Sequence, residues 1–222
     1  MTKEASPQQM RYYISDCHFY LNEENRARDG RGQFADEKEM NEFMIERWNG
    51  RVRKNDEVVI IGDLSNEHTH KTEEIVKRLN GKKYLLAGNH DRYLEDRDFD
   101  RSLFEKIDEY MEMRDNGRRV ILCHYPVMFY RGQYKRDEDG TPHSYMLYGH
   151  LHETFDERML NSFKGQLESH VKLTKGFPEP MSVPCSMINC YCRFADYIPR
   201  TLDEWIEIDK ERREKLIGVP LD

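Results

Sequence analysis

The sequence predicts a layered α/β domain, and three observations carry that prediction. Short apolar runs recur along the chain, amphipathic helical patterns lie between them, and the runs end in carboxylate, imidazole or amide side chains. The runs are Tyr12 to Ser15, Val58 to Ile61, Tyr84 to Ala87, Val120 to Cys123 and Tyr145 to Tyr148, with Ser186 to Tyr191 as a sixth candidate. They are apolar throughout rather than alternating, as expected of strands covered on both faces.

The helical patterns follow the 3.6-residue period. Between Asp36 and Trp48, Met40, Phe43, Met44 and Trp48 share one face, and Asp36 with Glu39 has the spacing of a cap. Thr72 to Leu79 carries Ile75, Val76 and Leu79 on one stripe, and Asn80-Gly81 ends it. Thr201 and Glu204 have capping-box spacing for a last helix reaching about Leu216. Phe155, Met159, Phe163 and Leu167 recur at helical spacing before Pro178 and Pro180, predicting a helix then a loop, with the stripe used for packing. Strands alternating with helices give the layered class.

At 222 residues with no Pro-, Gly- or Ser-rich linker, the chain is expected to form a single domain over 1–222, with an insertion at about 153–180. Its net charge of −7, from 35 basic and 42 acidic residues, argues against a polynucleotide partner, which needs an extended basic face. The N-terminus has no apolar signal core and no run reaches membrane-spanning length, so no membrane partner is expected. An odd set of five cysteines fits reduced thiols and a cytoplasmic location. Cys185, Cys190 and Cys192 lack a fourth zinc ligand at suitable spacing, so they read as strand thiols.

The run ends hold the chemistry: Asp16 and His18, then Asp63, then Asn89, His90 and Asp91, then His124, then His150 and His152. Side chains beyond the carboxyl ends of several strands can meet in one crevice of an open α/β sheet. Gly62, Gly88 and Gly149 immediately precede key members, where tight turns let backbone approach a cluster. Taken singly, each short motif suits an ordinary turn; the ordered set is what points to a site. His68, His70, His143 and His170 fall outside these motifs and read as surface histidines.

In order, "DCH", "GD", "GNHD", "CHYP" and "GHLH" resemble the pattern D-x-H, G-D, G-N-H-[DE], H, G-H-x-H of the calcineurin-like metallophosphoesterase superfamily, and "INCYCRFADYIPRTLDEWI" resembles the closing strand and helix of its small bacterial and phage members. The resemblance implies an α/β/β/α sandwich of two sheets flanked by helices. It implies two metal ions, Mn, Fe or Zn, with Asp16, His18, Asp63 and His152 holding the first. Asp63, Asn89, His124 and His150 would hold the second, with Asp63 bridging. A hydroxide shared by the metals would attack a phosphoester, monoester or diester, while His90 protonates the leaving oxygen and Asp91 orients His90. The implied partner is a small phosphorylated substrate, nucleotide-like molecules included. Arg131, in the loop "FYRGQYKRDEDGTPHSY" that is expected to overhang the crevice, is a candidate substrate contact. "LSNEH" after "GD" separates the chain from the phosphoprotein phosphatases and related dinucleoside tetraphosphate hydrolases, which carry "GDxVDRG". The alternatives are a non-catalytic scaffold of the same fold and a nuclease.

Overall fold

The computed structural model describes residues 9–172 and 180–216. Two four-stranded sheets form its centre. The first is parallel throughout, in the order β1 (Arg11–Ile14), β2 (Glu57–Ile61), β3 (Lys82–Leu86) and β4 (Lys106–Asp108). In the second, β10 (Met187–Asn189), β7 (Ser144–Tyr148) and β6 (Arg118–Cys123) run parallel, and β5 (Tyr110–Asp115) pairs antiparallel at the edge.

The uniformly apolar runs make sense once both faces are followed. Tyr12, Ile14, Val58 and Ile60 pack outward with Met40, Met44 and Trp48 of α2 (Glu37–Arg51) and Ile75 and Val76 of α3 (Thr69–Arg78). The intervening Tyr13, Val59 and Ile61 meet Val120, Leu122, Tyr145 and Leu147 between the sheets. Ile121, Met146, Tyr148 and Met187 form the far face, against Leu160 and Leu167 of α4 (Phe155–Ser169). Each fully buried aliphatic side chain contributes about 1.5–3 kcal/mol, so strands buried on both faces hold the layers together.

Local signals act as read. Asp36 accepts from Glu39 N at 2.7 Å, and the Glu39 side chain accepts from Ala35 N at 2.6 Å. Thr201 N donates to Glu204 Oε2 at 2.8 Å while Glu204 N donates to Thr201 Oγ1 at 3.3 Å, opening α5 (Leu202–Leu216). Trp205 of α5 donates to Tyr13 O at 2.8 Å and enters the inter-sheet core. Single bridges Ser15 to Tyr191 and Tyr13 to Arg200 then tie the closing segment to β1.

Among the described residues, no helix is long and apolar enough to cross a membrane. Residues 173–179, with Pro178, lie outside the described set, so the loop expected there is only partly seen: β8 (Val171–Lys172) pairs with β9 (Met181–Ser182).

The α4 stripe is a correction. Of its four members Leu167 packs on the sheet, but Phe155, Met159 and Phe163 are 49, 50 and 42% exposed, whereas Glu157 and Lys164 are buried. Tyr148 OH and Arg212 donate to Glu157 at 2.9 and 3.2 Å, and Lys164 Nζ donates to Met187 O at 2.6 Å. Arg213 also pairs with Glu168 at 2.6 Å. A buried charge loses several kcal/mol without a partner, so these polar contacts to α5 and the sheet set the roll of the helix.

Candidate metal centre

Each parallel strand that carries a motif hands its next residues to the same end of the sandwich. Ser15 to His18 follow β1, Gly62-Asp63 follow β2, Gly88 to Asp91 lie just past β3, His124 follows β6, and Gly149 to His152 follow β7. Asp16, His18, Asp63, His150 and His152 have positive φ values of 54, 48, 53, 68 and 47°. Such backbone costs on the order of 1–3 kcal/mol per residue and persists where its surroundings fix it. Here Asp16 N donates to Gly62 O and His18 N to Asp63 O, both at 3.0 Å. His150 N donates to Asp16 Oδ1 at 3.0 Å, and His90 N to Asp63 Oδ1 at 2.8 Å. A Cβ on Gly88 would stand 2.2 Å from Asp63 Oδ1, and one on Gly149 would stand 2.5 Å from Asp16 Oδ2. Those two glycines let the turns close over the carboxylates.

The loops bring together two groups that could hold a metal ion: Asp16, His18 and His152, and Asp63, His124 and His150. Asp63 lies between them, its Oδ2 3.6 Å from His18 Nε2 and 3.4 Å from His124 Nε2. The Asn89 amide oxygen is 3.1 Å from His124 Nε2.

The ring orientations show what the cluster wants. His18 Nδ1 faces Asn66 Oδ1 at 2.7 Å, His124 Nδ1 faces Ile61 O at 3.0 Å, and His152 Nδ1 faces Asp29 Oδ1 at 2.5 Å. An imidazole that donates from Nδ1 keeps its lone pair on Nε2 when neutral. All three Nε2 atoms therefore point inward as acceptors. His18 Nε2 and His152 Nε2 stand 3.1 Å apart, and His152 Nε2 is 3.3 Å from Asp16 Oδ1. Acceptors converging on acceptors call for a cation, either a proton or a metal ion. The donor set fits a metal: carboxylates and neutral imidazoles suit Mn, Fe or Zn.

The titration behaviour has the same cause. Burial opposes charge on His124 and His152, yet the carboxylates that accept from them, Asp63 for the first and Asp16 and Asp29 for the second, raise both to about 9. Burial dominates at His18 and lowers it to about 4. Burial also opposes Asp63, but its hydrogen bond to His124 holds it at about 2.

Asp91 does something other than expected of it. Its carboxylate accepts from the N–H groups of Asp63, Leu64 and Gly88 at 2.9, 2.8 and 2.8 Å, and from Tyr93 OH at 3.0 Å. It clamps two motif loops together; its described bonds go to those backbones and to Tyr93, not to the His90 ring. Burial, then the charge of Asp63, pushes it up to about 6. His90 itself is exposed, with its ring edge-on to His18 at 5.1 Å between centroids. Arg131 is exposed and lies 3.5 Å from Glu112 on β5; its described contact is outside the ligand cluster. Cys17 is buried, and among the described residues neither candidate metal-ligand group contains a cysteine.

Sequence reasoning missed the residues behind the ligands. Asp29, Arg31 and Asn66 carry no motif, and nothing in the sequence marks them among 77 charged residues or the other amides. Asn189 donates to His152 O at 3.1 Å, and Tyr191 stacks on the His152 ring at 4.6 Å and 16°.

Comparison with known proteins agrees with this arrangement. The calcineurin-like phosphoesterase superfamily domain matches residues 12–166. The uncharacterized protein MJ1445 of Methanocaldococcus jannaschii is 32% identical over 143 residues, covering 64% of this chain and 68% of that one. The crystal structure of AQ665, a protein of unknown function from Aquifex aeolicus, superposes with a TM-score of 0.53 at 22% identity, covering 92% of this chain and all of that one. The latter likeness is one of fold.

Proposed function

The chain belongs to the calcineurin-like phosphoesterase superfamily, and on that premise we propose that its acceptor-lined cluster holds two divalent metal ions and hydrolyses a small phosphoester. The carrying observation is the convergence of three Nε2 atoms with the carboxylates of Asp16 and Asp63. Asp16, His18, Asp63 and His152 would hold the first ion; Asp63, Asn89, His124 and His150 would hold the second. Bound there, the two ions would neutralise charge on phosphoryl oxygens and lower the pKa of a shared water from 15.7 toward roughly 7.

The rest of the work falls to the chain's own groups. Asn66, Ile61 O and Asp29 hold three imidazoles in the tautomer that leaves Nε2 free for a metal. Asp91 ties the turn after β2 to the turn after β3, so Asp63 and Asn89 keep their spacing. His90, exposed beside His18 and anchored through its backbone N–H to Asp63, gives a ring proton to the departing oxygen. The acidic balance of the chain favours a small substrate over polynucleotide. Five free cysteines suit a reducing, cytoplasmic setting.

The test is a screen of Mn-loaded protein with p-nitrophenyl phosphate, bis-p-nitrophenyl phosphate, cyclic nucleotides and other phosphometabolites. Turnover that disappears on chelation is expected. Two bound metal equivalents with no turnover of any ester would leave a scaffold in place of an enzyme.

A further inference from the structure

We propose that Asp29 and Arg31 form a positioning pair that sets metal affinity at the first ion's position, a deepening that rests on the two-metal reading above. Arg31 is fully buried. Its Nη2 donates to Asp16 O at 2.7 Å and its Nη1 to Cys17 O at 2.6 Å, so one guanidinium grips the backbone on which Asp16 and His18 are mounted. Its Nε donates to Asp29 Oδ2 at 2.6 Å. The other Asp29 oxygen accepts the His152 Nδ1 proton at 2.5 Å. The pair therefore touches the supports of all three members of the first group: two through main-chain carbonyls, and the third through its ring.

Asp29 is itself held in place. Arg193 Nη1 and Tyr191 OH donate to its backbone oxygen at 2.8 and 3.3 Å, and the Arg31 guanidinium lies 5.7 and 5.5 Å from the Tyr191 and Tyr197 ring centroids. His152 is fixed against Tyr191 and Asn189, so its Nδ1 has little freedom to find another partner. The other anchored rings differ: His124 is backed by a main-chain carbonyl and His18 by an amide. A carboxylate behind an imidazole raises its basicity and fixes its proton on the far nitrogen, and losing such a partner costs 10–100-fold in metal affinity or activity. Arg31 makes that carboxylate tolerable in a buried place, and Asp29 does the same for the guanidinium.

The experiment is a Zn²⁺ titration of metal-depleted protein against a chromophoric chelator, comparing wild type, Asp29→Asn and Arg31→Lys. Wild type taking up fewer than two equivalents would overturn the two-metal reading rather than this one. With two equivalents in wild type, Asp29→Asn should weaken one about 10–100-fold and leave the other unchanged. Arg31→Lys should do likewise, because an ammonium cannot reproduce a fork bonded to three oxygens. Both equivalents unchanged, or both weakened together, would overturn the proposal. Should neither variant yield folded protein, ¹⁵N spectra of Zn-loaded wild type decide: a His152 protonated on Nδ1 supports it, and one protonated on Nε2 overturns it.

Discussion

The two groups that could hold a metal are built from the same kind of strand end, yet they are supported differently. The first, Asp16, His18 and His152, is backed by the ion pair of the buried Arg31 with the partly exposed Asp29, a stacked tyrosine and two asparagines. The second, Asp63, His124 and His150, leans on the Ile61 carbonyl and on the Asp91 clamp. Its outer side is open: Asn89 is exposed, and Tyr125, 46% exposed, meets the His150 ring edge at 4.7 Å. The lesson is one of division of labour. A group surrounded by fixed side chains has its geometry set by the fold, while a group at the mouth stays open to solvent.

The largest effect should come from the residue that belongs to both halves. Asp63→Asn keeps the shape and removes one anionic oxygen from between His18 and His124. Turnover should fall to background and both metal equivalents should weaken, as metal analysis of purified protein would show. Loss of only one equivalent would confine Asp63 to a single group.

His90 comes next and should act on neither group. His90→Ala is expected to keep both metal equivalents while losing about 10²–10⁴-fold on alkyl phosphoesters, the usual share of general acid catalysis. On p-nitrophenyl esters, whose leaving group needs no proton, the loss should be far smaller. A uniform loss across leaving groups would make His90 a positioning residue instead.

Much of this was legible in the sequence. The uniformly apolar runs announced strands buried on both faces, and the residues after them announced the two clusters that could hold a metal, because both depend on chemistry local to each segment. Strand β5 and its turn were also readable but were not read: Asn116-Gly117, with φ of 46 and 82°, is a two-residue hairpin signal. Helix α4 was read as a helix, but its apolar stripe was misread, for a reason no periodicity contains. Its roll depends on Arg212, Arg213 and Met187, far along the chain. Asp29 was illegible for the same reason, since its ring partner His152 arrives from 123 residues away.

Graded metal removal sharpens the contrast between the groups. Dialysis against rising chelator should strip one equivalent at a concentration at least about tenfold below the other, the scale of a supporting-residue effect. The retained ion should be the one whose binding Asp29→Asn weakens. Release of both ions at one concentration would erase the distinction.

Proton competition should be visible in the metal-free protein, through one histidine of each group. His124 and His152 sit at about 9 against an ordinary 6.5, so their stabilisation is complete below about pH 6.5 and is lost as pH rises through about 9. The melting temperature of metal-free protein should therefore fall over that window, by roughly 2–4 °C for each kcal/mol lost at this chain length. Zn-loaded protein should show the opposite slope, because the ions need neutral imidazoles and gain affinity as protons leave. A flat metal-free profile between pH 6.5 and 9 would mean the two rings are neutral in the folded chain.

The smallest effect is expected at Arg131, which tests how far the second group's open side extends. The sequence made it a substrate candidate because its loop joins two ligand-bearing strand ends. In the structure its side chain is 69% exposed and its Nη1 lies 3.5 Å from Glu112, a carboxylate already engaged by Arg119. An exposed pair of that length contributes between 0 and about 1 kcal/mol. Arg131→Ala should change stability by less than about 0.5 kcal/mol in a denaturant melt, as surface substitutions usually do. Its KM for a small aryl phosphoester should also stay close to that of wild type, because the described contact of Arg131 is with Glu112 and not with the candidate ligands. A clear rise in KM for a larger anionic ester alone would bring the loop into the site, and extend the open side of the second group as far as Arg131.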